Sequence, residues 1–299
     1  MSADARGDAM VRALPVVFVL IWSTGFIVAR YGMPHAPPFK FLALRYALSI
    51  LCFLPWIALA GVRWPAGGRQ WWHLAVTGML MHGGYLGGVW AAVKAGMGSG
   101  LSALIVALQP VLTAVWLSST GSRVTRRQWL GLALGFAGLA LVVSRKLGHS
   151  GAGERVDLLN LSLAVGALLS ITVGTLYQKR HVEPCDVRTA NAVQLGAALL
   201  VTLPLLALEA GAPMRWGAEL AGAMAWSVLA LTLGGSSLLY LLIQRGAATA
   251  VTSLFYLVPP STAVMAWLLF DEPITATTLL GTALTAFGVS LVVRAARPH

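Results

Sequence analysis

Aromatic and neutral polar residues recur at helical spacing inside long apolar stretches of this chain. His82 and Tyr85 stand three residues apart, and Ser236 and Tyr240 stand four apart, so each pair lies on one face of a helix. Such side chains donate hydrogen bonds, accept them or stack on rings, and they are costly to expose to lipid. The pattern predicts a wet, aromatic-lined pathway. For any single aromatic residue, packing or a membrane-interface position is the competing interpretation.

The predicted substrate-binding residues share a position inside an apolar stretch and a side chain that can contact a small solute. They are Trp22, His82, Tyr85, Trp90, Gln109, Tyr177, Gln194, Ser236, Tyr240, Ser253 and Tyr256. Arg45 is the one cation well inside such a stretch. Two interpretations of it stay open: a guanidinium in a water-filled vestibule, or a side chain that reaches back to the membrane interface.

Residue types that are missing narrow the chemistry. No Asp or Glu falls in the interior of a predicted span, and no nucleotide-binding loop, nucleophile elbow or HExxH motif occurs. Cys52 and Cys185 show no metal-ligand spacing. We therefore expect no enzyme, no cofactor and no metal. Because proton-driven carriers and cation carriers usually need a buried carboxylate, the sequence favours facilitated movement of a neutral or zwitterionic solute.

The elements that hold these residues must be membrane helices. Of 299 residues, 58% are hydrophobic and only 10% are charged, and the mean hydropathy is +0.77. A soluble domain carries about a quarter charged residues, so the bilayer is the predicted surrounding. The net charge of +11 comes without a basic block interleaved with aromatics, so no nucleic acid is expected as a partner.

Ten stretches of the length that spans a bilayer predict ten transmembrane helices. A shift of 150 residues aligns Pro110 with Pro260 and Gly131 with Gly281. The sequence therefore predicts an all-α membrane protein in two five-helix repeats, at residues 1–148 and 149–299.

Each repeat has an odd number of spans, so the second enters the membrane in the opposite direction. This inverted topology predicts a central cavity where the halves meet. More Lys and Arg residues lie in the segments that share a side with the termini, which predicts that both termini are cytoplasmic.

Prolines and glycines at matching depth in the two halves are the predicted hinge residues. A proline inside a helix removes a hydrogen bond, and small residues let helices approach closely. The hinge residues are Pro110, Pro259, Pro260, Gly83, Gly84, Gly234 and Gly235. Passive bends and simple packing are the alternatives.

Four stretches carry a family resemblance. They are IWSTGFIVARYG (residues 21–32), LRY (44–46), ALQPVLTAVW (107–116) and YLVPPSTAVMAWLLFDEPIT (256–275). They resemble the EamA family of the drug/metabolite transporter superfamily. The last stretch couples Pro260 to Glu272 and Thr275, whereas Ser122 stands at the first-half position that matches Glu272. The two ends of the repeat are therefore not chemically identical.

Within that family the chain is most similar to the YddG-type amino-acid exporters of bacterial inner membranes. The resemblance implies an inner-membrane exporter of aromatic and other neutral amino acids that works by alternating access. An exporter of drugs or other small metabolites is the alternative. Two further alternatives are a membrane receptor or scaffold, which would bind a ligand without transporting it, and a membrane enzyme. The coupling ion and the oligomeric state stay open.

Overall fold

The computed structural model of the chain describes residues 3–119, 125–146, 150–151, 154–238 and 257–295. Within these ranges the chain is almost wholly helical. Tyr240, Ser253 and Tyr256, three of the predicted substrate-binding residues, lie outside the described residues.

Residues 3–146 form helices that cross the molecule in succession. They are α1 (Ala3–Gly32), α2 (Pro38–Leu59), α3 (Gly68–Gly78), α4 (Tyr85–Lys94), α5 (Ser99–Val106), α6 (Gln109–Ser119) and α7 (Arg126–Lys146). A first π segment, Met79–Gly84, joins α3 to α4. A turn at residues 107–108 separates α5 from α6 beside Pro110, as expected where a proline interrupts a helix.

The second part of the chain follows a short hairpin. Strands β1 (Ser150–Gly151) and β2 (Glu154–Arg155) pair antiparallel. The all-α prediction did not include this hairpin, whose strands have two residues each. The helices are α8 (Leu158–His181), α9 (Val187–Thr202), α10 (Ala218–Trp226), α11 (Val258–Phe270) and α12 (Ala276–Ala295). A 3₁₀ segment, Leu203–Glu209, extends α9, and a second π segment, Ser227–Ser236, extends α10.

Six described helical stretches are long and apolar enough to cross a membrane. They are Pro38–Leu59, Ser99–Trp116, Arg126–Arg145, Leu158–His181, Val187–Glu209 and Ala218–Ser236. Three apolar helices are shorter: Val17–Gly32, Val258–Phe270 and Ala276–Leu291. The protein is therefore a multi-pass helical membrane protein. Ten spans in two inverted repeats remain a prediction.

Local sequence signals set where α8 and α9 begin. Asp157 accepts a hydrogen bond from the backbone N–H of Asn160 at 2.9 Å, and the Asp157 backbone N–H donates to Asn160 Oδ1 at 3.1 Å. This reciprocal pair is a capping box. Asp186 caps α9 by accepting from the N–H of Arg188, whose hydrogen bonds hold the pKa of that carboxyl below its usual value. Both caps fix the links that approach the cavity.

Glycines hold α7 against α12. A side chain at Gly138 would lie 2.6 Å from Thr285 Oγ1, and one at Gly288 would meet the Gly131 carbonyl oxygen. Gly131 and Gly135, four residues apart on α7, lie in this contact. The close approach lets the last helix of each part pack along the other.

Some of the predicted hinge residues lie at a close contact between helices and others at the start of a helix. Gly84 lets α8 approach, because a Cβ there would meet Ser170 Oγ, which donates to the Leu80 carbonyl at 2.9 Å. Pro259 and Pro260 stand in the first turn of α11. A missing N–H is tolerated there, so neither proline breaks the described part of this helix.

Candidate functional site

A cavity lies between helices from both parts of the chain. About 820 Å³ within it is not filled by protein atoms, a volume that includes open solvent. The walls come from α1, α2, the first π segment and α4 on one part, and from α8, α9 and the second π segment on the other.

The apolar part of the wall is formed by aromatic and aliphatic side chains. Trp90 is 1% exposed and stacks on Phe41 with ring centroids 4.5 Å apart. Trp22 packs against Phe18 at 5.2 Å, and Tyr85 is 5% exposed. Buried rings that already pack on a neighbour offer a preorganised surface on which a ligand can stack.

Arg45 is the charged group of the described wall. It lies on α2 and is 5% exposed, and its Nε donates to Thr232 Oγ1 at 3.1 Å. Its guanidinium carbon lies 5.9 Å from the centre of the Trp90 ring. The Thr232 hydroxyl in turn donates to the Ser227 carbonyl oxygen at 2.9 Å. The two residues are five apart within the second π segment, where the backbone hydrogen bonds are wider than in an α-helix. Of the two interpretations of Arg45, the structure places the side chain in the cavity wall.

Polar residues lie beside this guanidinium. His82 in the first π segment is held by Tyr46, whose hydroxyl donates to the His82 carbonyl at 2.7 Å. Gln194 and Asn191 of α9 also line the cavity, and Asn191 donates to the Val187 carbonyl at 2.8 Å. The Nε2 of Gln194 is buried and has no hydrogen-bond partner among the described residues. An unsatisfied buried donor in a cavity wall is a group that a ligand can complete.

The structure brings six of the predicted substrate-binding residues together. Trp22, His82, Tyr85, Trp90, Gln194 and Ser236 line the cavity. Gln109 and Tyr177 are not among its lining residues. Gln109 donates to Thr175 Oγ1 at 2.9 Å, and the Tyr177 hydroxyl lies 2.7 Å from His73 Nδ1.

Gln178 is a cavity residue that sequence reasoning missed. On this helix the sequence predicted Tyr177, but Ile171 and Gln178 are the residues of α8 that line the cavity. The actual face is thus turned by one residue, about 100° of helix rotation. Ile171 and Gln178 are seven residues apart and therefore share one face of a helix. Because Ile171 is apolar, the sequence gave no reason to prefer this face over that of Tyr177.

Below the cavity, α3 meets α8 and the link that follows it; we name this region the Gln70 end. Gln70 Oε1 accepts from the Glu183 backbone N–H at 3.1 Å, and Gln70 Nε2 donates to the Glu183 carbonyl at 2.8 Å. The rings of His73, Tyr177 and His181 pack together, with the two histidine centroids 5.2 Å apart. Uncharged hydrogen bonds and ring packing close this end.

At the other end of the helices carboxylates make the contacts; we name this region the Glu272 end. Glu272 follows α11, is 5% exposed, and accepts from the backbone N–H groups of Ser99 at 3.1 Å and Gly100 at 3.4 Å. The Arg30 guanidinium lies 4.0 Å away. Burial, reinforced by the nearby charge of Glu154, raises the pKa of Glu272 to about 7.

Two further carboxylates join the parts of the chain at the Glu272 end. Glu209 accepts from the first backbone N–H groups of α2, those of Phe39 at 3.0 Å and Lys40 at 2.9 Å. Glu219 lies 2.6 Å from His35 Nε2 and is largely exposed. The carboxylate of Glu209 favours the helix start because its charge opposes the positive end of the helix dipole.

In the part of the chain that the structure describes, no group of three or more His, Cys, Asp or Glu residues is placed to hold a metal ion. The described lining combines aromatic and aliphatic side chains, neutral polar groups and one guanidinium.

A multi-pass helical protein with a small-molecule cavity between its helices has the architecture of a membrane transporter. Residues 12–144 and 158–294 each match the EamA-like transporter family. The chain belongs to this family and is a membrane transporter, as the sequence resemblance predicted.

Named relatives align over most of the chain. The uncharacterized transporter YvbV of Bacillus subtilis is 25% identical over 280 residues, covering 92% of this chain and 88% of that protein. The uncharacterized inner membrane transporter YedA of Escherichia coli K12 is 26% identical, covering 82% and 78%. The "Probable amino-acid metabolite efflux pump" of Escherichia coli K12 is 24% identical, covering 94% and 93%.

A solved crystal structure has the same fold. It aligns with a TM-score of 0.65 at 19% sequence identity, over 95% of this chain and 96% of that one.

Proposed function

We propose that the protein exports amino acids, aromatic and other neutral ones, across the inner membrane by alternating access. The observation that carries this proposal is the cavity, which is lined mainly by aromatic, aliphatic and uncharged polar residues with one guanidinium, and which lies between the contacts of the Gln70 end and those of the Glu272 end. The efflux pump of Escherichia coli supports the substrate class by its name, and YedA supports the inner membrane.

The two matched regions of the chain correspond to two five-helix repeats, residues 1–148 and 149–299, in inverted topology. Both π segments lie within the third predicted span of their repeat, one between α3 and α4 and the other directly after α10. The end contacts also correspond. Gln70 in the first turns of α3 meets the link after α8, and Glu219 in the first turn of α10 meets the link after α1. In an inverted repeat, equivalent contacts of the two halves lie at opposite ends of the molecule, as these two contacts do.

Export requires the two ends to open in turn. The Gln70 contacts separate to admit a solute, and the contacts of Glu272, Glu209 and Glu219 separate to release it. The π segments, with Gly83 and Gly84 in one and Gly234 and Gly235 in the other, are where the helices bend, since their hydrogen bonds are already irregular. Pro110 lies beside the turn between α5 and α6, and Pro259 and Pro260 lie in the first turn of α11.

The charge distribution assigns the sides of the membrane. Lys and Arg residues are more numerous on the side of the termini, so both termini and the Gln70 end face the cytoplasm. The Glu272 end then faces outward. No Asp or Glu is among the described residues that line the cavity, which favours facilitated export over coupling to a proton on a cavity carboxylate.

Flux in proteoliposomes tests the proposal. Purified protein should release preloaded labelled amino acids faster than protein-free vesicles, and Trp22→Ala should slow this release about tenfold through loss of stacking surface. Trp72→Ala is the matched control, because Trp72 is 62% exposed and lies outside the cavity. Failure to move any amino acid would overturn the substrate class.

An exporter of drugs or other small metabolites is the second candidate. The aliphatic part of the lining, Leu86, Val89, Ile171 and Leu231, favours it, because such a surface accepts any apolar group. Competition distinguishes the two: apolar drugs that block amino-acid release at lower concentration than unlabelled amino acids would favour the drug exporter.

A further inference from the structure

The described cavity combines a buried cation with no buried anion. None of the ten acidic residues of the chain is among the lining residues, and the segments outside the described ranges, residues 1–2, 120–124, 147–149, 152–153, 239–256 and 296–299, contain no Asp or Glu. A buried guanidinium is costly unless an anion or several acceptors surround it. Among the residues whose side chains the structure describes, the protein therefore offers no carboxylate partner to Arg45 within the cavity.

Resting on the proposed function, we propose that Arg45 and Gln194 form a subsite that binds the carboxylate of the transported molecule. The subsite lies between α2 and α9, one helix from each part of the chain, and the cavity is bounded by both residues. A ligand held there would contact the two parts at once.

The hydrogen bond of Arg45 occupies its Nε and leaves the two terminal guanidinium nitrogens available to a ligand. Its Nε is occupied by Thr232 Oγ1 at 3.1 Å, and no described acceptor is hydrogen-bonded to the two terminal nitrogens. The Trp90 ring, 5.9 Å from the guanidinium carbon, faces the cation and limits its movement. A guanidinium fixed at Nε presents its terminal N–H groups in the geometry that suits a carboxylate.

Gln194 supplies an independent observation. It is 5% exposed, and its Nε2 has no hydrogen-bond partner among the described residues. A buried amide donor without an acceptor costs free energy, which a ligand oxygen would recover. Two donors without acceptors, one of them charged, on the wall of one cavity define a site for an anionic oxygen group.

The rest of the wall determines what that anion can be attached to. Trp22, Tyr85 and Phe26 offer aromatic surface, and the described lining contains no carboxylate for an ammonium group. Rings can accommodate an ammonium group by cation–π contact but do not require one. The substrate class is thus a carboxylate that carries an apolar or aromatic group, with or without an amino group. Amines, polyamines and lipophilic cations are disfavoured by the charge of Arg45.

Ligand-induced thermal stabilisation of the purified full-length protein in detergent tests this subsite. The probes are L-phenylalanine, L-leucine, 3-phenylpropionate, L-phenylalaninamide, phenethylamine and tetraphenylphosphonium. We expect the three carboxylates to bind at least tenfold more tightly than the amide, the amine and the phosphonium. A tenfold difference in affinity is about what one hydrogen bond between charged groups contributes. This comparison uses the wild-type protein and needs no variant to fold.

Variants then assign the preference to residues. Arg45→Gln should abolish the discrimination between L-phenylalanine and its amide, Arg45→Lys should keep part of it, and Gln194→Leu should weaken carboxylate binding severalfold. Arg63→Gln, an exposed arginine on the link after α2, is the matched control and should behave as wild type.

The outcomes separate this inference from the proposed function. Equal binding of acid and amide, no binding of any carboxylate, or unchanged discrimination in Arg45→Gln would overturn the subsite, whether or not amino acids cross the membrane. Binding and flux of 3-phenylpropionate without binding or flux of amino acids would support the subsite and overturn amino-acid export.

Discussion

The two ends of the cavity are closed by different chemistry. At the Gln70 end, an uncharged side chain pairs with the backbone of Glu183, and the rings of His73, Tyr177 and His181 pack together. At the Glu272 end, carboxylates reach across to backbone N–H groups and cations, with Glu272 itself buried. The pairing of Gln70 with the Glu183 backbone involves no ionised side chain, whereas the contacts of Glu272 depend on ionisation directly.

This difference gives the two gates different sensitivities. Hydrogen bonds between neutral groups change little with pH or salt, whereas a buried carboxyl group near another carboxylate exchanges its proton as conditions change. The sequence carries the same asymmetry, because Ser122 occupies the first-half position that matches Glu272. A pair of repeats with one fold can therefore have gates that respond to different conditions.

The largest expected effect comes from locking either end. In a protein with Cys52 and Cys185 replaced by alanine, cross-linking Gln70→Cys to Glu183→Cys should abolish flux, and so should cross-linking His35→Cys to Glu219→Cys. Both pairs lie in direct contact across the two parts of the chain. Reductant should restore flux in both proteins. Full activity of either cross-linked protein would show that its end does not open during transport.

Weakening the Gln70 end should expose it without affecting the other end. Gln70→Ala removes two hydrogen bonds to the Glu183 backbone, each worth about 1 kcal/mol, which is about a 30-fold shift in a two-state equilibrium. Gln70 Nε2 lies 3.8 Å from Cys185 Sγ, so alkylation of Cys185 by a maleimide should accelerate.

The native Cys52, on α2, is the internal reference for that measurement, and Trp72→Ala is the control variant. An unchanged alkylation rate of Cys185 in Gln70→Ala would mean that these hydrogen bonds do not hold the end closed.

The Glu272 end should be weakened by rising pH. The pKa of Glu272 is raised from 4.5 to about 7, so the folded protein binds more protons than the unfolded chain between these values. The stability of the wild type therefore falls as the pH rises from about 4.5 to about 7 and then levels off. Glu272→Gln, which is neutral at every pH, should remove this part of the pH dependence.

Melting temperatures of the wild type and Glu272→Gln across pH 5 to 8 give the measurement. Glu183→Gln, exposed at the Gln70 end, should follow the wild-type curve. Parallel curves for the wild type and Glu272→Gln would contradict the assigned role of this carboxyl group.

The smallest effect is expected at the exposed ion pair of the Glu272 end. The Glu219 side chain is 63% exposed, and exposed pairs contribute about 0.2–1 kcal/mol. Glu219→Gln should therefore change the flux rate by less than about fivefold, and the change should shrink in high salt. A larger loss would place the gate at Glu219 rather than at Glu272.

The sequence predicted the class of fold and much of the cavity for a clear physical reason. Polar and aromatic side chains are costly in lipid, so those inside apolar stretches, such as His82 and Tyr85, had to face inward. The family and the transporter role followed from motifs that include Pro260 and Glu272.

Helix rotation and irregular hydrogen bonding could not be predicted in the same way. On α8 the sequence predicted Tyr177 rather than its neighbour Gln178, because the local sequence does not fix which face of the helix meets the cavity. Tyr177 instead packs with two histidines outside the cavity. The π segments depend on how Gly84 and Gly235 fit against neighbouring helices, which is a property of packing rather than of local sequence. The roles of Tyr240, Ser253 and Tyr256 stay predictions.

Distances across both ends, measured in one sample by pulsed electron paramagnetic resonance, test alternating access most directly. Spin labels at Arg69→Cys and Pro184→Cys report on the Gln70 end, and labels at Pro34→Cys and Ala218→Cys report on the Glu272 end; all four residues are exposed. Each pair is measured in a background without the native cysteines. On addition of a transported amino acid, one distance should lengthen while the other shortens. Two ends that open together, or that both stay fixed during active flux, would contradict the account.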